Sequence, residues 1–395
     1  MSEAPLQPSA TAPAPLAPGG ILGILGGGQL GRMTALAARR LGYSVHVFEP
    51  EAGCPAGQVA DREINAPYSD QAALRDFASG VDRITLEFEN IPASVFDVLE
   101  PLRPVFPNQR ALHICQHRQR EKTFLRDHGF TCASFAVVAS AEELADAHRA
   151  MGDDAVLKTA AFGYDGKGQI RLHGENQDYA AIWKALAAQV GVLEKWIHYE
   201  RECSVICARS TGGETRAFDP VDNEHRNQIL HCTSAPSSLP RPVQQEAQRV
   251  AIALAEALDV IGLLAVEFFV THGGDLLVNE MAPRPHNSGH HTLDAGLTSQ
   301  FEQHVRAVCG LPLGDTRLLS PAVMVNLLGD LWPSAQQAPD WTPLLSDPTL
   351  KLHLYGKKAA RPGRKMGHFC VLDPDRTTAL QRAHKHFDGL NPSTD

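Results

Sequence analysis

The feature that most constrains this chain is a hairpin pattern over residues 263–280, which places two acidic residues in apolar surroundings. Its two apolar arms flank the polar turn Thr-His-Gly-Gly-Asp, a pattern typical of antiparallel strands. If Thr271 pairs with Leu276 across a four-residue loop, counting back along both strands places Glu267 directly opposite Glu280. Like charges that face each other across a strand pair destabilise a sheet, so this arrangement requires a compensating partner.

A divalent cation shared by the two carboxylates would compensate their repulsion. Magnesium accepts a few carboxylate oxygens and completes its octahedral shell with water and phosphate oxygens. The pair Glu267 and Glu280 therefore predicts a magnesium site at a nucleoside triphosphate. The alternative is a register slipped by one residue, which would turn one of the two glutamates into solvent.

Composition and charge indicate a multidomain protein of the cytoplasm. Its 395 residues suffice for two or three domains, and a hydrophobic content of 43% is ample for buried cores. The net charge of −9, with basic residues scattered along the chain, argues against a nucleic-acid partner. No apolar run approaches the roughly 20 residues that cross a bilayer, which argues against a membrane protein. The eight cysteines have no zinc-finger spacing and no preceding signal peptide, which indicates reduced thiols.

Predicted strands that alternate with predicted helices indicate an α/β fold in three units. A Pro- and Ala-rich stretch at 1–18 lacks periodicity and is expected to be a disordered tail. We predict a Rossmann-like N-terminal domain at 19–113, a second unit at 114–199 and a C-terminal domain at 200–395. The first unit should form an open parallel sheet that binds its ligand at the carboxyl ends of the strands.

A glycine-rich turn, Gly26-x-Gly28-x-x-Gly31, follows the first predicted strand and opens the first predicted helix. This context fits a dinucleotide-binding fingerprint, and Glu49 ends the next strand where a ribose-binding acid would lie. The backbone N–H groups of such a turn suit any phosphate or other anion, and a purely structural tight turn is a further alternative. Nothing later in the chain supplies a second dinucleotide-binding half.

A second glycine-rich segment, 158–169, lies between two predicted strands rather than before a helix. It lacks the GK[ST] ending and is therefore not a Walker loop. We interpret it as a flap whose backbone amides close over phosphates, while Lys158 supplies a fixed positive charge beneath. An ordinary glycine hairpin is the alternative.

The order of these motifs resembles the ATP-grasp superfamily. Five blocks narrow the resemblance to the N5-carboxyaminoimidazole ribonucleotide synthetase (PurK) family. Together they extend over most of the chain, from about Ile21 to Leu372. The blocks read GGQLGRM at Gly27–Met33, EFEN at Glu87–Asn90, GYDGKGQ at Gly163–Gln169, NEMAPRPHNSGH at Asn279–His290 and RPGRKMGH at Arg361–His368.

The resemblance implies a ligase of purine biosynthesis. ATP would phosphorylate bicarbonate to carboxyphosphate, which then carboxylates the exocyclic amine of 5-aminoimidazole ribonucleotide (AIR) to a carbamate. It also implies an ATP-grasp fold, with an N-terminal Rossmann-like pre-ATP-grasp domain, a central B (lid) region and a C-terminal domain that holds the metal site and a substrate-phosphate clamp. Mg²⁺ as cofactor, a homodimer, a cytoplasmic location and a downstream mutase that receives the product are implied in the same way.

Site residues follow from the same resemblance, position by position. Metal binding is assigned to Glu267 and Glu280, and Lys357 with Arg364 would clamp the 5′-phosphate of AIR. Asp165, beside Tyr164, would receive the proton of the amine or orient that amine. ATP binding is assigned to Arg118, Lys158, Gly163, Tyr164, Asp165, Gly166, Lys167, Gly168, Gln169, Glu194, Lys195, Trp196, Ile197, Glu202, His225, Asn279 and Glu280. Substrate binding is assigned to Gln29, Leu30, Glu89, Asn287, Lys357, Arg364 and Lys365, and catalysis to Tyr164, Asp165, Arg284 and His286.

Other functions compete with this one. A relative that formylates glycinamide ribonucleotide shares the architecture, but its flap is expected to lack the pair Tyr164 and Asp165. An NAD-dependent dehydrogenase would explain only the first glycine turn. A non-catalytic regulatory subunit would be expected to lose a metal ligand or a flap charge, and all of these are present. A zinc site at His286, His290 and His291 lacks the HExxH helix that would favour it.

Overall fold

The computed structural model describes residues 13–152, 154–161, 168–174, 177–335 and 337–390. Within these ranges the chain forms three sheets with flanking helices, one sheet for each unit expected from the sequence. The flap positions at 162–167, which include Gly163, Tyr164, Asp165, Gly166 and Lys167, lie outside the described residues.

The N-terminal unit contains a five-stranded parallel sheet in the order β3-β2-β1-β4-β5. Its central strands β1 and β4 are buried almost throughout, as expected where helices cover both faces of a sheet. The strands are β1 (Ile21–Leu25), β2 (Ser44–Phe48), β3 (Arg62–Ile64), β4 (Arg83–Leu86) and β5 (Val105–Phe106), and the helices are α1 (Gln29–Arg40), α2 (Gln71–Ser79), α3 (Ala93–Leu99) and α4 (Gln109–Cys115). The predicted open parallel sheet is confirmed, whereas the predicted boundary at 113/114 falls inside α4.

The predicted disordered tail needs a correction at its end. Residues 1–12 lie outside the described part of the chain, but Leu16 N–H donates to the Cys309 carbonyl at 2.8 Å. The Arg83 guanidinium donates to the Ala14 carbonyl, also at 2.8 Å. The Leu16 side chain packs at an apolar cluster that includes Val305. This docking depends on residues distant in sequence, so the local composition could not predict it.

The second unit is a four-stranded antiparallel sheet in the order β6-β9-β7-β8. Helix α5 (Arg118–Asp127) leads into it from the first unit. Its strands are β6 (Phe135–Val138), β7 (Ala155–Thr159), β8 (Gln169–Leu172) and β9 (Gly191–Lys195), and its helices are α6 (Ala141–Met151) and α7 (Tyr179–Leu186). Buried aliphatic side chains such as Leu144, Leu157 and Leu193 form a core of its own.

The third unit is built on a nine-stranded sheet in the order β15-β14-β10-β12-β13-β16-β18-β17, with β11 paired to β10. Its strands are β10 (Tyr199–Arg209), β11 (Thr215–Ala217), β12 (Val221–Arg226), β13 (Ile229–Ala235), β14 (Gly262–Thr271), β15 (Leu276–Ala282), β16 (Ala322–Leu328), β17 (Leu350–Leu354) and β18 (Lys365–Leu372). The helices are α8 (Arg241–Ala257), α9 (Thr292–Ala295), α10 (Gln300–Cys309), α11 (Thr342–Leu345) and α12 (Arg376–Leu390). Short 3₁₀ turns lie at Gly57–Val59, Asn287–Gly289 and Gly329–Leu331.

Helix α10 joins the first and third units. The Ser299 hydroxyl caps it by accepting from Glu302 N–H, and Gly310 ends it in the left-handed conformation. Its apolar stripe includes Val305 and Val308, which pack against the first unit. The His304 ring also contacts the Thr85 hydroxyl at 2.8 Å. One face of the first sheet is thereby fixed against α10, which also packs on β14 of the hairpin.

Two further predictions can be compared with the structure. None of the helices in the described ranges combines the length and the apolar content needed to cross a membrane. All eight cysteines are free, in agreement with the expectation of reduced thiols.

Candidate active site

The acidic hairpin forms as predicted, with Glu267 the partner of Glu280 across β14 and β15. The turn differs from the prediction, because Val270 rather than Thr271 pairs with Leu276. Without a further irregularity, this turn would produce the slipped register considered as the alternative.

A β-bulge corrects the register. It lies between the pairs Phe268–Val278 and Glu267–Glu280, and its extra residue is Asn279. The Asn279 side-chain oxygen is buried and has no hydrogen-bond partner within the described residues. The bulge therefore places the two glutamates opposite each other. It also positions a third oxygen atom, that of the Asn279 amide, which can bind a metal ion.

The chemistry of this donor set fits Mg²⁺. Burial and the neighbouring Glu280 charge raise the pKa of Glu267 well above its ordinary value, as expected for a carboxylate that lacks a cation. Nowhere in the described ranges do three or more His, Cys, Asp or Glu side chains converge as metal ligands, so the zinc alternative has no support there. Two carboxylates and one amide oxygen leave coordination positions for phosphate and water, which is how Mg²⁺ is usually held.

Glu194 is the hub of a buried charge cluster next to this hairpin. Its carboxylate lies 3.1 Å from Lys158 Nζ, 3.4 Å from Arg118 Nη1 and 3.6 Å from Lys122 Nζ. Burial lowers the pKa of Lys158 to about 8. Burial opposes ionisation of Glu194, but the charges of Lys122, Lys158 and Arg118 lower its pKa to about 2. Lys158 and Arg118 thus present buried positive charges beside the hairpin, which suits a phosphate chain.

The same cluster reaches the metal pair, since Arg118 Nη2 lies 3.6 Å from Glu280 Oε2. Glu194 was predicted as an ATP-binding residue, and in the structure its side chain is the buried counter-ion of this cluster. Lys122 was missed, because a Lys within Arg-Gln-Arg-Glu-Lys resembles any solvated helix face.

The segment after Glu194 and the neighbouring strands hold the remaining predicted ATP contacts. Trp196 lies between Lys195 and Ile197 in the sequence. The Arg171 guanidinium lies 3.7 Å above the centroid of the Trp196 ring. Strand β8 begins at Gln169, directly after Gly168, whose φ is +72°.

His225 and Glu202 form an ion pair between β12 and β10. Burial lowers the pKa of His225, but Glu202 outweighs this and raises it. Asp222, three residues before His225, accepts from Ser237 and Arg376.

Arg284 and Glu89 form a two-point ion pair between the third and first units. Arg284 Nη2 donates to Glu89 Oε1 at 3.0 Å, and Nε donates to the other oxygen. Burial opposes both charges, but the pairing raises the pKa of Arg284 and lowers that of Glu89. Arg284, predicted to act in catalysis, and Glu89, predicted to bind substrate, are thus brought together.

His286 and Asn287 lie beside this pair. His286 Nε2 is 3.3 Å from Glu267 Oε1, and its Nδ1 accepts from Ser288 N–H. Burial and the Arg284 charge lower the pKa of His286 well below its ordinary value. Asn287 is 7% exposed, and among the described residues neither atom of its amide has a hydrogen-bond partner. Buried unpaired amide atoms are rare in folded proteins and fit a ligand contact.

The basic C-terminal loop docks on the first unit. Lys358 Nζ donates to the Ala52 carbonyl at 2.5 Å, and Gln58 Nε2 donates to the Gly356 carbonyl at 2.8 Å. Gly356 has φ +73°, a conformation that favours glycine. The loop therefore carries its cations to the edge of the parallel sheet.

Three predicted phosphate or substrate contacts lie on this loop and the strand that follows it. Lys357 Nζ donates to the Lys365 carbonyl at 2.6 Å, and Arg364 Nη1 donates to the Ala359 carbonyl at 2.8 Å. The Lys365 charge influences the pKa of Glu89, Glu267 and His286, which places it near the centre of the site.

The glycine turn of the first unit binds the protein's own carboxylates. Gly28 N–H and Gly31 N–H donate to Glu87 at 2.5 and 2.9 Å, and Gly27 N–H donates to Glu49 at 2.8 Å. A Cβ at Gly28 would lie 2.5 Å from Glu87 Oε1, which explains the need for glycine. These amides are not available to a dinucleotide, so the fingerprint interpretation is wrong.

Gln29 and Leu30 follow this turn at the start of α1. The Leu30 side chain is 7% exposed and packs with Met33, Phe301 and Tyr355. Leu30 can therefore meet a substrate only through its backbone.

Comparisons with known proteins place this site in a family. Residues 20–116 match the sequence profile of the ribonucleotide synthetase preATP-grasp domain, residues 123–301 that of the ATP-grasp domain, and residues 322–382 that of the phosphoribosylaminoimidazole carboxylase C-terminal domain. The N5-carboxyaminoimidazole ribonucleotide synthase of Brucella melitensis is 46% identical over 91% of this chain and 98% of its own length. That of Bacillus subtilis is 46% identical over 90% and 92%.

Solved structures agree with these matches. An ADP complex of a PurK enzyme superposes with a TM-score of 0.87 at 41% identity, covering 95% of this chain and 99% of that one. The Aspergillus clavatus synthase in complex with ADP and AIR superposes with a TM-score of 0.85 at 28% identity, covering 94% and 98%. The family resemblance of the sequence motifs is thereby confirmed, and the chain belongs to the N5-carboxyaminoimidazole ribonucleotide synthase (PurK) family of ATP-grasp ligases.

Proposed function

We propose that the protein carries out the ATP-dependent carboxylation of AIR to N5-carboxyaminoimidazole ribonucleotide in purine biosynthesis, with bicarbonate as the carbon source and ADP and phosphate as products. The observation that carries this proposal is the direct opposition of Glu267 and Glu280. A carboxylate pair beside the buried cations around Glu194 suits a metal–triphosphate substrate.

In the first step, a bicarbonate oxygen bonds to the γ-phosphorus of ATP while the bond from that phosphorus to ADP breaks. The products are carboxyphosphate and ADP. Lys158 and Arg118 bind phosphate oxygens and stabilise the developing charge. Mg²⁺, held by Glu267 and Glu280, supplies further neutralisation of the phosphate oxygens when it is bound. The Asn279 amide oxygen, which has no partner within the described residues, supports this assignment.

In the second step, the amine nitrogen of AIR attacks the carboxyl carbon of carboxyphosphate, and phosphate leaves with the electrons of the broken C–O bond. The amine loses one proton, which Asp165 receives or positions, with Tyr164 alongside. Arg284, His286 and Asn287 hold the bicarbonate-derived group. The unpaired amide of Asn287 and the rigid Arg284–Glu89 pair support this role, because both present oriented polar groups at low cost in reorganisation.

Adenosine and AIR occupy opposite sides of the metal pair in this proposal. Glu202 and His225 hold the ribose of ATP, next to the ATP-binding segment at 194–197, and the flap at 163–169 covers the phosphates. Lys357 and Arg364 clamp the 5′-phosphate of AIR, while Gln29, Leu30, Glu89 and Lys365 complete that subsite. The docking of Lys358 on Ala52 supports this assignment, because it fixes the basic loop against the first unit.

We also propose a homodimer in the cytoplasm that passes its carbamate product to a mutase. The free thiols of all eight cysteines agree with a reducing compartment.

The three-domain division is retained as a proposal. Its first boundary is moved to the end of α4, because a helix is not divided between domains.

ADP release in the presence and absence of each co-substrate tests the proposed reaction. We expect rapid ADP formation only when Mg²⁺, AIR and bicarbonate are all present. ADP release that is independent of both AIR and bicarbonate would exclude the coupled carboxylation.

A further inference from the structure

Two adjacent charged residues of α5 are buried against the edge of the metal hairpin. Glu121 is 3% exposed and Lys122 is fully buried. Lys122 Nζ donates to the Asn279 carbonyl at 2.8 Å and to the Val278 carbonyl at 3.4 Å. Glu121 Oε1 accepts from Met281 N–H at 2.6 Å. The two side chains thus bind the backbone on both sides of Glu280.

Glu121 and Lys122 bind backbone groups next to the β-bulge that make no hydrogen bond to the neighbouring strand β14. Strand β15 is an edge strand of the nine-stranded sheet, where β14 is its neighbouring strand and Cys132 forms a single bridge to Val278 on the outer side. The outer N–H of Val278 donates to the Thr131 carbonyl at 2.8 Å, and the next outer groups are those bound by Lys122 and Glu121. Buried backbone groups without such partners are costly, so α5 stabilises the irregular strand rather than a regular one.

The turn defines the register that the hairpin would have if it contained no bulge. The pairing of Val270 with Leu276, continued without a bulge, would set Asn279 opposite Glu267 and Glu280 opposite Val266. Glu280 would then lie on the other face of the sheet. Glu267 would be left without the second carboxylate.

We infer that Glu121 and Lys122 are positioning residues for the metal site: by binding the bulge at Asn279, they hold Glu280 opposite Glu267. Lys122 also lies 3.6 Å from Glu194 Oε2, so the same ammonium ties the hairpin to the cation cluster around Lys158. Neither residue touches substrate in this account. The inference rests on the proposed role of the glutamate pair in binding the metal.

Four substitutions separate this positioning role from a general contribution to stability. Lys122→Met and Glu121→Met remove the contacts to the bulge. Glu121→Gln keeps an oxygen that accepts from Met281 N–H. Arg126→Met is a matched control, because Arg126 lies on the same helix with a side chain 61% exposed, whose ion pair is with the neighbouring Asp127.

The readout is the affinity for Mn²⁺ at saturating ADP, measured by electron paramagnetic resonance below the melting temperature of every variant. Loss of a residue that orients metal ligands typically weakens metal binding about 10–100-fold. We expect a loss of about tenfold or more in Lys122→Met and Glu121→Met. Glu121→Gln and Arg126→Met should stay within about twofold of wild type, since the first keeps the hydrogen bond and the second never had one.

Wild-type affinity in both Lys122→Met and Glu121→Met would overturn the inference, as would equal losses in Glu121→Met and Glu121→Gln. If Lys122→Met does not fold, the comparison of the two Glu121 variants decides. Failure of the wild-type protein itself to bind Mn²⁺ with ADP would instead overturn the metal assignment in the proposed function. The two failures are therefore distinguishable.

Discussion

The Glu194 carboxylate lies 3.1 Å from the Lys158 ammonium, with side chains 2% and 13% exposed. Glu194 is shared with Arg118 and Lys122, so its removal leaves three cations without their common anion. We expect Glu194→Gln to lower the free energy of unfolding by about 3–5 kcal/mol, measured by urea denaturation without nucleotide.

The control for this variant is Glu246→Gln. Glu246 forms an exposed ion pair with Arg249 on α8, so its substitution should cost at most about 1 kcal/mol. Equal effects of the two substitutions would contradict the role of Glu194 as a buried counter-ion.

The metal pair gives a prediction about turnover rather than stability. Glu280 is 45% exposed, so Glu280→Gln should leave the unfolding free energy nearly unchanged. Without this carboxylate the metal and the phosphates are misplaced, and ADP formation should fall about 100-fold or more. Near-normal ATPase activity of a folded Glu280→Gln protein would refute the metal assignment.

The basic loop gives a prediction about substrate affinity. A charge-assisted contact contributes about 1.5–3 kcal/mol, so Arg364→Ala should raise the KM for AIR about tenfold or more while changing that for ATP little. Arg361→Ala is the matched control, because Arg361 lies on the same loop with an exposed side chain. Equal changes in the KM values for AIR and ATP would indicate a structural role for Arg364.

The raised pKa of Glu267 gives a prediction about pH in metal-free protein. Between the ordinary value near 4.5 and its raised value, the folded protein holds a proton that the unfolded chain releases. The contribution of Glu267 to stability therefore falls as pH rises through that window. Glu267→Gln removes this titration. The melting temperature of the variant minus that of wild type, both measured in EDTA, should therefore increase from pH 5 to pH 8. A constant difference across this range would contradict the raised pKa.

The sequence predicted those parts of the site that local patterns encode. The hairpin, the strand that carries Lys158 and the parallel sheet all follow from periodicity and turn residues. The bulge at Asn279 does not, because it depends on Lys122, which lies 157 residues away. The partner of the glycine turn was missed for the same reason, since Glu87 lies 59 residues from Gly28. Contacts between a side chain and a distant backbone group leave no periodic trace in a sequence.

Asp165 belongs to the flap, and its role remains a prediction from the sequence. If it acts on the amine of AIR, Asp165→Asn should lose carbamate formation but keep some ATP cleavage. Phosphoryl transfer depends instead on Lys158 and the Glu267–Glu280 pair. Parallel assays of ADP and of carboxylated product measure this difference. Loss of both activities to the same extent would place Asp165 in ATP binding.

The most direct test of the account is the fate of labelled bicarbonate. The carbamate product is unstable, so a mutase is included to trap it while ADP release is followed in the same reaction with wild-type protein, ATP, Mg²⁺ and AIR. We predict label in the trapped product in proportion to the ADP released. ADP release that requires formate instead of bicarbonate, or NADH formation without ATP, would contradict the account.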